Sequence, residues 1–135
     1  MRIVLDTNVL VSALLNPNGV PASIVNVILD DTVTILVDDR ILLEYREVLR
    51  RPKFAFPRDA LHPLLEFFEH HSEYVSAGPA PVSINDPGDV PFYEVAVAAD
   101  ADFLVTGNTR HFPEKHWIVS PGRFIEIIRR GFGSI

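Results

Sequence analysis

The sequence predicts a three-layer α/β/α sandwich around a mostly parallel central sheet, a single domain over residues 1–135. Three observations lead there. Short apolar or β-branched runs alternate with stretches of helical period along the whole chain. The first run stops on Asp6 and a later one on Gly107-Asn108, as strands do when they feed into the next element at a sheet edge. No repeat, low-complexity tract or linker composition interrupts the alternation. With 47% hydrophobic and 22% charged residues, the chain has the composition of an ordinary globular protein with a full core.

Taken in order, Ile3-Val4-Leu5 reads as a buried strand ending on Asp6. Thr7 or Asn8 then opens a helix, because both side chains cap free backbone N–H groups. Asp6 is either a turn or capping residue, or the first member of a site. The helix runs over residues 9–15 and stops at Asn16-Pro17-Asn18-Gly19. Pro21-Ala22-Ser23 starts a second helix, with Ile24, Val27 and Ile28 at helical spacing, which runs out at Asp30-Asp31. Residues 32–37 are a second strand.

Asp38 or Asp39 caps the helix that follows, over residues 41–49. At 100° per residue Ile41, Leu42, Tyr45, Val48 and Leu49 share one face, with Glu44 at its margin and Glu47 in solvent. Arg51-Pro52 breaks this helix, and Phe54-Ala55-Phe56-Pro57 is an apolar connection. Residues 58–71 resume helical spacing through Leu61, Leu64, Leu65 and Phe68, and His70-His71 suits the negative end of the helix dipole. Residues 73–76 form a third strand and 77–81 a loop. Asn85-Asp86-Pro87-Gly88-Asp89 then leads into an Ala-rich, buried helix whose first turn holds Pro91. Capping explains one aspartate there; two exceed what capping requires. Residues 102–106 are the next strand, Trp117-Ile118-Val119 the last, and Ser120-Pro121 opens a final helix over 122–130 before a tail at 131–135.

The net charge of −6 argues against a protein that coats nucleic acid non-specifically. Arg40, Arg46, Arg50, Arg51, Lys53 and Arg58 nonetheless meet only Glu44 and Glu47 between positions 40 and 58, either as a patch for a polyanion or as a solvated helix face. There is no cysteine, which removes disulfides, Cys-based zinc sites and thiol nucleophiles. Asp6 arrives too early for a signal peptide, and no run nears the roughly 18 apolar residues that span a bilayer. A cytoplasmic protein with no membrane association is expected.

Asp6, Asp86, Asp89 and Asn108 all fall where a parallel sheet gathers its strand-to-helix turns, and Glu44 can reach the same edge. Carboxylates that crowd together raise one another's pKa unless a cation compensates. Hard oxygen ligands without cysteine favour Mg2+ or Mn2+ over zinc. Such an ion activates a water and accepts phosphate oxygens, so an acidic pocket beside a basic strip suits metal-dependent phosphodiester cleavage.

The sequence carries Leu5-Asp6-Thr7-Asn8-Val9-Leu10, then Glu44 in Glu-Tyr-Arg-Glu-Val-Leu, then Asp86-Pro87-Gly88-Asp89 ahead of the Ala-rich helix. It continues with residues 102–112, which include Thr106-Gly107-Asn108-Thr109-Arg110-His111-Phe112, and closes with Val119-Ser120-Pro121-Gly122-Arg123-Phe124. In that order and spacing the chain resembles PIN-domain proteins over nearly its whole length, and among them the VapC-like toxin components of prokaryotic toxin–antitoxin pairs. The resemblance implies an Mg2+- or Mn2+-dependent endoribonuclease. Asp6, Glu44 and Asp89 would be the catalytic, metal-holding acids, with Asp86 and Asn108 as further candidate ligands. Asn8 and Thr106 would orient them, and Arg40, Arg46, Arg50 and Arg110 are candidates for RNA contact. It also implies an RNA substrate, a cognate antitoxin protein and a homodimer. Two departures matter: many relatives carry an acid where this chain has Asn108, which adds no charge and makes a second metal less expected, and the net charge of −6 leaves RNA affinity dependent on a local patch. The alternative is a catalytically weak fold that binds RNA or protein, with structural acids. A haloacid-dehalogenase reading needs a second aspartate at position 8, and a receiver domain needs one after the third strand; neither is present. His62, His111 and His116 read as surface residues, and Trp117, Phe124 and the 61–68 stripe as core or interface.

Overall fold

The computed structural model describes residues 1–80 and 83–131 and places five strands in one sheet. These are β1 (Arg2–Leu5), β2 (Thr34–Val37), β3 (Glu73–Tyr74), β4 (Phe103–Val105) and β5 (Ile118–Val119), in the order β3-β2-β1-β4-β5. All pairings are parallel. Strands covered on both faces read as continuous apolar runs rather than alternating ones, and Ile3, Val4, Leu5, Leu36 and Leu104 are fully buried. Leu5 stands level with Val105, and the N–H of Asp6 donates to the Val105 carbonyl at 2.9 Å. The two central strands therefore end together. From β1 the chain winds outward through β2 to β3, then returns to place β4 and β5 on the other side. The reversal lies between β1 and β4, where open α/β sheets form their crevice.

Six α-helices cover the sheet among the described residues: α1 (Thr7–Leu15), α2 (Val20–Leu29), α3 (Asp39–Leu49), α4 (Arg58–His71), α5 (Val90–Ala98) and α6 (Pro121–Arg129). Helix α2 packs on α1 and α6, α3 packs on α4 and α5, and α5 lies across β1, β2 and β4, completing the expected three-layer sandwich. Asp38 caps α3 by accepting from the Ile41 N–H at 3.0 Å, and Ser120 caps α6 through Arg123 N–H at 3.2 Å. Tyr45, Phe68 and Phe92 form an aromatic cluster, with ring centroids 5.4 Å (Tyr45–Phe68) and 6.4 Å (Tyr45–Phe92) apart. The Tyr45 hydroxyl donates to the Leu5 carbonyl at 2.5 Å, which ties α3 to the end of β1. Among the described residues no helix is long and apolar enough to cross a membrane.

Four strands are shorter than the runs that announce them, whereas β1 begins one residue earlier, at Arg2. The third strand, expected over 73–76, pairs regularly only at Glu73–Tyr74, because it is an edge strand with both residues exposed and one neighbour. The other edge strand, β5, is equally short. Where the sequence shows breaks, the chain forms 3₁₀ turns at Pro52–Phe54, Pro87–Asp89 and Thr109–His111. Residue 81 of the expected loop and residues 132–135 of the expected tail lie outside the described residues.

Candidate active site

Asp6 stands at the N-cap of α1 in extended backbone, yet its side chain caps nothing. The carboxylate turns instead toward β4, where Oδ2 accepts from Thr106 Oγ1 at 2.8 Å, and Asp6 is only 5% exposed. Thr106 continues β4 and is fully buried. A hydroxyl has one proton, and the Asn108 N–H also points at Oγ1, at 3.0 Å. The N–H can only donate and the carboxylate can only accept, so the Thr106 proton goes to Asp6. Asn8 is oriented by the same logic. Its Oδ1 accepts from the Gly107 N–H at 3.0 Å, which leaves Nδ2 facing Asp6 Oδ2 at 3.4 Å. A Cβ on Gly107 would lie 3.3 Å from that Oδ1, so glycine permits the close approach.

Glu44 arrives from α3 with its side chain half-buried, as its place at the margin of the apolar face predicts, and Oε2 accepts from the Thr7 hydroxyl. Its Oε1 lies over the Pro87–Asp89 turn, 3.9 Å from where a Cβ on Gly88 would stand. The two aspartates of that turn divide their work. Asp86 is exposed and caps the turn through the Gly88 N–H at 2.9 Å. Asp89 occupies the N-cap of α5 but makes no capping bond, and it is buried. Its Oδ2 accepts no hydrogen bond among the described residues, although His111 Nδ1 stands 3.3 Å away.

Burial and mutual repulsion hold these acids toward the neutral form. Burial pushes the Asp6 carboxyl up to about 6; the Thr106 hydrogen bond acts the other way, and the nearby Asp89 and Glu44 add to the rise. Glu44 is raised chiefly by burial, against the Thr7 hydrogen bond, and further by Asp89 and Asp86. Asp89 is raised by burial and then by Asp86, with His111 opposing. An acid cluster of this kind gains from a cation, and a buried carboxylate oxygen without a donor is a position that a hard cation satisfies. Among the described residues no three acidic or imidazole groups form a ready-made cage. The donor set fits Mg2+, which is commonly held by one or two carboxylates and keeps several waters.

The fold thus brings Asp6, Asn8, Glu44, Asp89 and Thr106 together, with Asp86 at the rim. Asn108 contributes its backbone N–H, while its side chain is exposed. Arg40 is committed to Asp38 and Glu94, each at 2.7 Å, and Arg46 to Glu69. Arg50 and Arg110 are exposed and form no ion pair with a described residue. Two residues at the site escaped the sequence reading. Thr7 read only as a helix opener, and the exposed His111 read as surface. Its place three residues after Asn108, at a strand end, was the available signal.

Two comparisons bear on this arrangement. A family model described as PIN domain matches residues 2–110, a span that includes every candidate acid. The chain is also 28% identical over 111 residues to an uncharacterized protein of Methanocaldococcus jannaschii, in an alignment covering 80% of this chain and 71% of the relative.

Proposed function

The chain belongs to the PIN-domain family, and from that premise we propose that it is an Mg2+- or Mn2+-dependent endoribonuclease centred on Asp6, Glu44 and Asp89. PIN domains are generally nucleases that use divalent metal ions. The observation that carries the finer reading is that Asp6, at an extended N-cap, caps nothing, while Asp89 buries an Oδ2 with no hydrogen-bond donor among the described residues. An aspartate at an N-cap normally accepts a backbone N–H. These two are buried facing each other's charge instead, at a cost that structure alone does not offset.

Asp6, Glu44 and Asp89 would hold the cation. When bound, it neutralises phosphate charge and lowers the pKa of an attacking water. The chain's own residues supply orientation. Thr106 and Asn8 commit one Asp6 oxygen, Thr7 commits one Glu44 oxygen, and His111 stands at the open side of Asp89. His111 is exposed, with Nδ1 3.3 Å from Asp89 Oδ2, a position suited to general acid–base work. Arg110, beside it on the same turn, is free to meet substrate phosphate.

Cleavage of a mixed RNA pool with and without Mn2+ or Mg2+, wild type beside Asp6→Asn, tests the reading. Metal-dependent cutting should fall about a hundredfold or more in the variant, since a nearly isosteric amide replaces a metal-holding charge. An Asp6→Asn protein as active as its parent would sink the assignment. We also read this nuclease as the toxin of a cytoplasmic toxin–antitoxin pair, on the support of the motif order from Leu5-Asp6-Thr7-Asn8 to Asp86-Pro87-Gly88-Asp89. Expression in a bacterial host should then arrest growth, and Asp6→Asn should not. Unimpaired growth under wild-type expression would overturn the toxin role without touching the nuclease.

A further inference from the structure

We propose that the connection between α3 and α4 is a docking surface for single-stranded RNA, with bases stacking on the Phe54–Phe56 pair and phosphates meeting Arg50, Arg51, Lys53 and Arg58. The proposal rests on the nuclease reading for where the RNA leads, and on its own geometry for the binding itself.

The first observation is charge. Arg2, Arg40, Arg46, Arg123 and Arg130 all pair with acids. Arg50, Arg51, Lys53 and Arg58 form no ion pair with any described residue, and all four are exposed. Four unpaired cations within nine residues, on a chain of net charge −6, mark the place where a polyanion is attracted rather than repelled. Arg50 and Arg58 share a cleft with Asp59, Leu61, His62 and Pro63, of which Asp59 is the one opposing carboxylate.

The second is a flat aromatic platform. The Phe54 and Phe56 rings stack with centroids 5.4 Å apart and planes 10° from parallel, and both remain partly exposed. Lys53 Nζ lies over the Phe54 ring, 5.1 Å from its centroid, so a mobile cation covers the aromatic face that a base would take and is displaced toward its phosphate. Phe56 packs against the core, whereas Phe54 does not. Between them Ala55 adopts φ 51°, ψ 32°, a left-handed conformation uncommon for a residue with a Cβ other than Asn or Asp. Pro52 and Pro57 restrict the segment on either side. The platform is therefore built in advance, so a ligand need not order it.

The third is its position. Arg50 caps the C-terminus of α3, the helix that carries Glu44, and Arg51 follows it in extended backbone at the start of the Pro52–Phe54 turn. The Arg51 charge is felt at the Glu44 carboxyl, which it lowers. A strand lying on the platform with its phosphates along Arg50 and Arg51 is directed to the acid cluster. Stacking on aromatic rings needs unpaired bases and tolerates any sequence, which selects single strands over duplexes.

The test uses Asp6→Asn protein, which binds without cutting, and a short fluorescein-labelled oligouridylate read by anisotropy. Phe54→Ala in that background should weaken binding about tenfold or more, and Phe54→Trp should restore it. Lys53→Gln with Arg58→Gln should lower the slope of log affinity against log salt by about 1.4. Phe54→Leu, which keeps apolar volume and loses the flat face, should also weaken binding at an unchanged melting temperature. Parental affinity in Phe54→Ala or Phe54→Leu, duplex RNA bound as tightly as single-stranded, or no binding at low salt would each overturn the proposal. Metal-dependent cleavage lost in Asp6→Asn, alongside parental binding by Phe54→Ala, would remove the platform and leave the nuclease standing. Continued cleavage by Asp6→Asn with weakened binding by Phe54→Ala would do the reverse.

Discussion

Thr106 shows how much of this site depends on one hydroxyl proton. Its donation to Asp6 Oδ2 favours the charged carboxylate and works against burial. In Thr106→Val the shape is kept and the proton lost, so the Asp6 carboxyl in metal-free protein should titrate above the parental value of about 6. A ¹³C-NMR titration reads this directly, and an unchanged midpoint would assign the wild-type balance to something other than this bond. Cleavage should fall about ten- to a hundredfold, the usual consequence of removing a group that orients a metal ligand. At this scale the sequence is informative about residue type and silent about direction. Asp6 at a strand end was legible, but whether it capped α1 or faced elsewhere was decided by a threonine a hundred residues away. Thr7 was illegible for the same reason, and His111 nearly so despite its place after a strand end, since each acquires its role by facing Glu44 or Asp89 from a distant part of the chain.

Helix α3 carries two neighbours with different tasks. Tyr45 points inward to the Leu5 carbonyl, and Glu44 points along the surface to the acids. The tyrosine thereby ties the helix that carries Glu44 to the strand that ends at Asp6. Tyr45→Phe should cost about 1–2 kcal/mol in a urea titration, because the Leu5 carbonyl loses its donor in a buried setting. It should also lower cleavage, since α3 is no longer pinned at β1. A variant with parental stability would show that water or the backbone takes over that carbonyl. Helices were legible at this scale because amphipathic spacing is a local property, and the face holding Ile41, Leu42, Tyr45 and Leu49 is buried as spaced. Strand length was not, since the reach of β3 and β5 depends on how much edge β2 and β4 offer them. The 3₁₀ turn at Pro87–Asp89 has a local cause, since Asp86 caps it and Pro87 opens it.

For the molecule as a whole, three raised carboxyls make the metal-free fold sensitive to pH. Asp6 binds its proton more tightly folded, at about 6 against an ordinary 3.8, so between those values the folded state holds more protons than the unfolded one. The contribution of Asp6 to stability is therefore full below about pH 4 and lost as pH rises through 6, amounting to about 3 kcal/mol at most. A cation reverses this by favouring the charged forms. Calorimetry should show Mg2+ raising the melting temperature more at pH 8 than at pH 5. An equal gain at both would mean that these acids do not hold the ion. The strand order has a further consequence, in time rather than in space. A polypeptide leaves the ribosome N-terminus first, so Asp6 and Glu44 emerge long before Thr106, and the β1–β4 pairing closes a loop of about a hundred residues. Until that closure Asp6 lacks its hydroxyl partner and the crevice has only one wall. For the proposed ribonuclease, the centre therefore cannot be complete before Thr106 has been made, when most of the chain has left the ribosome.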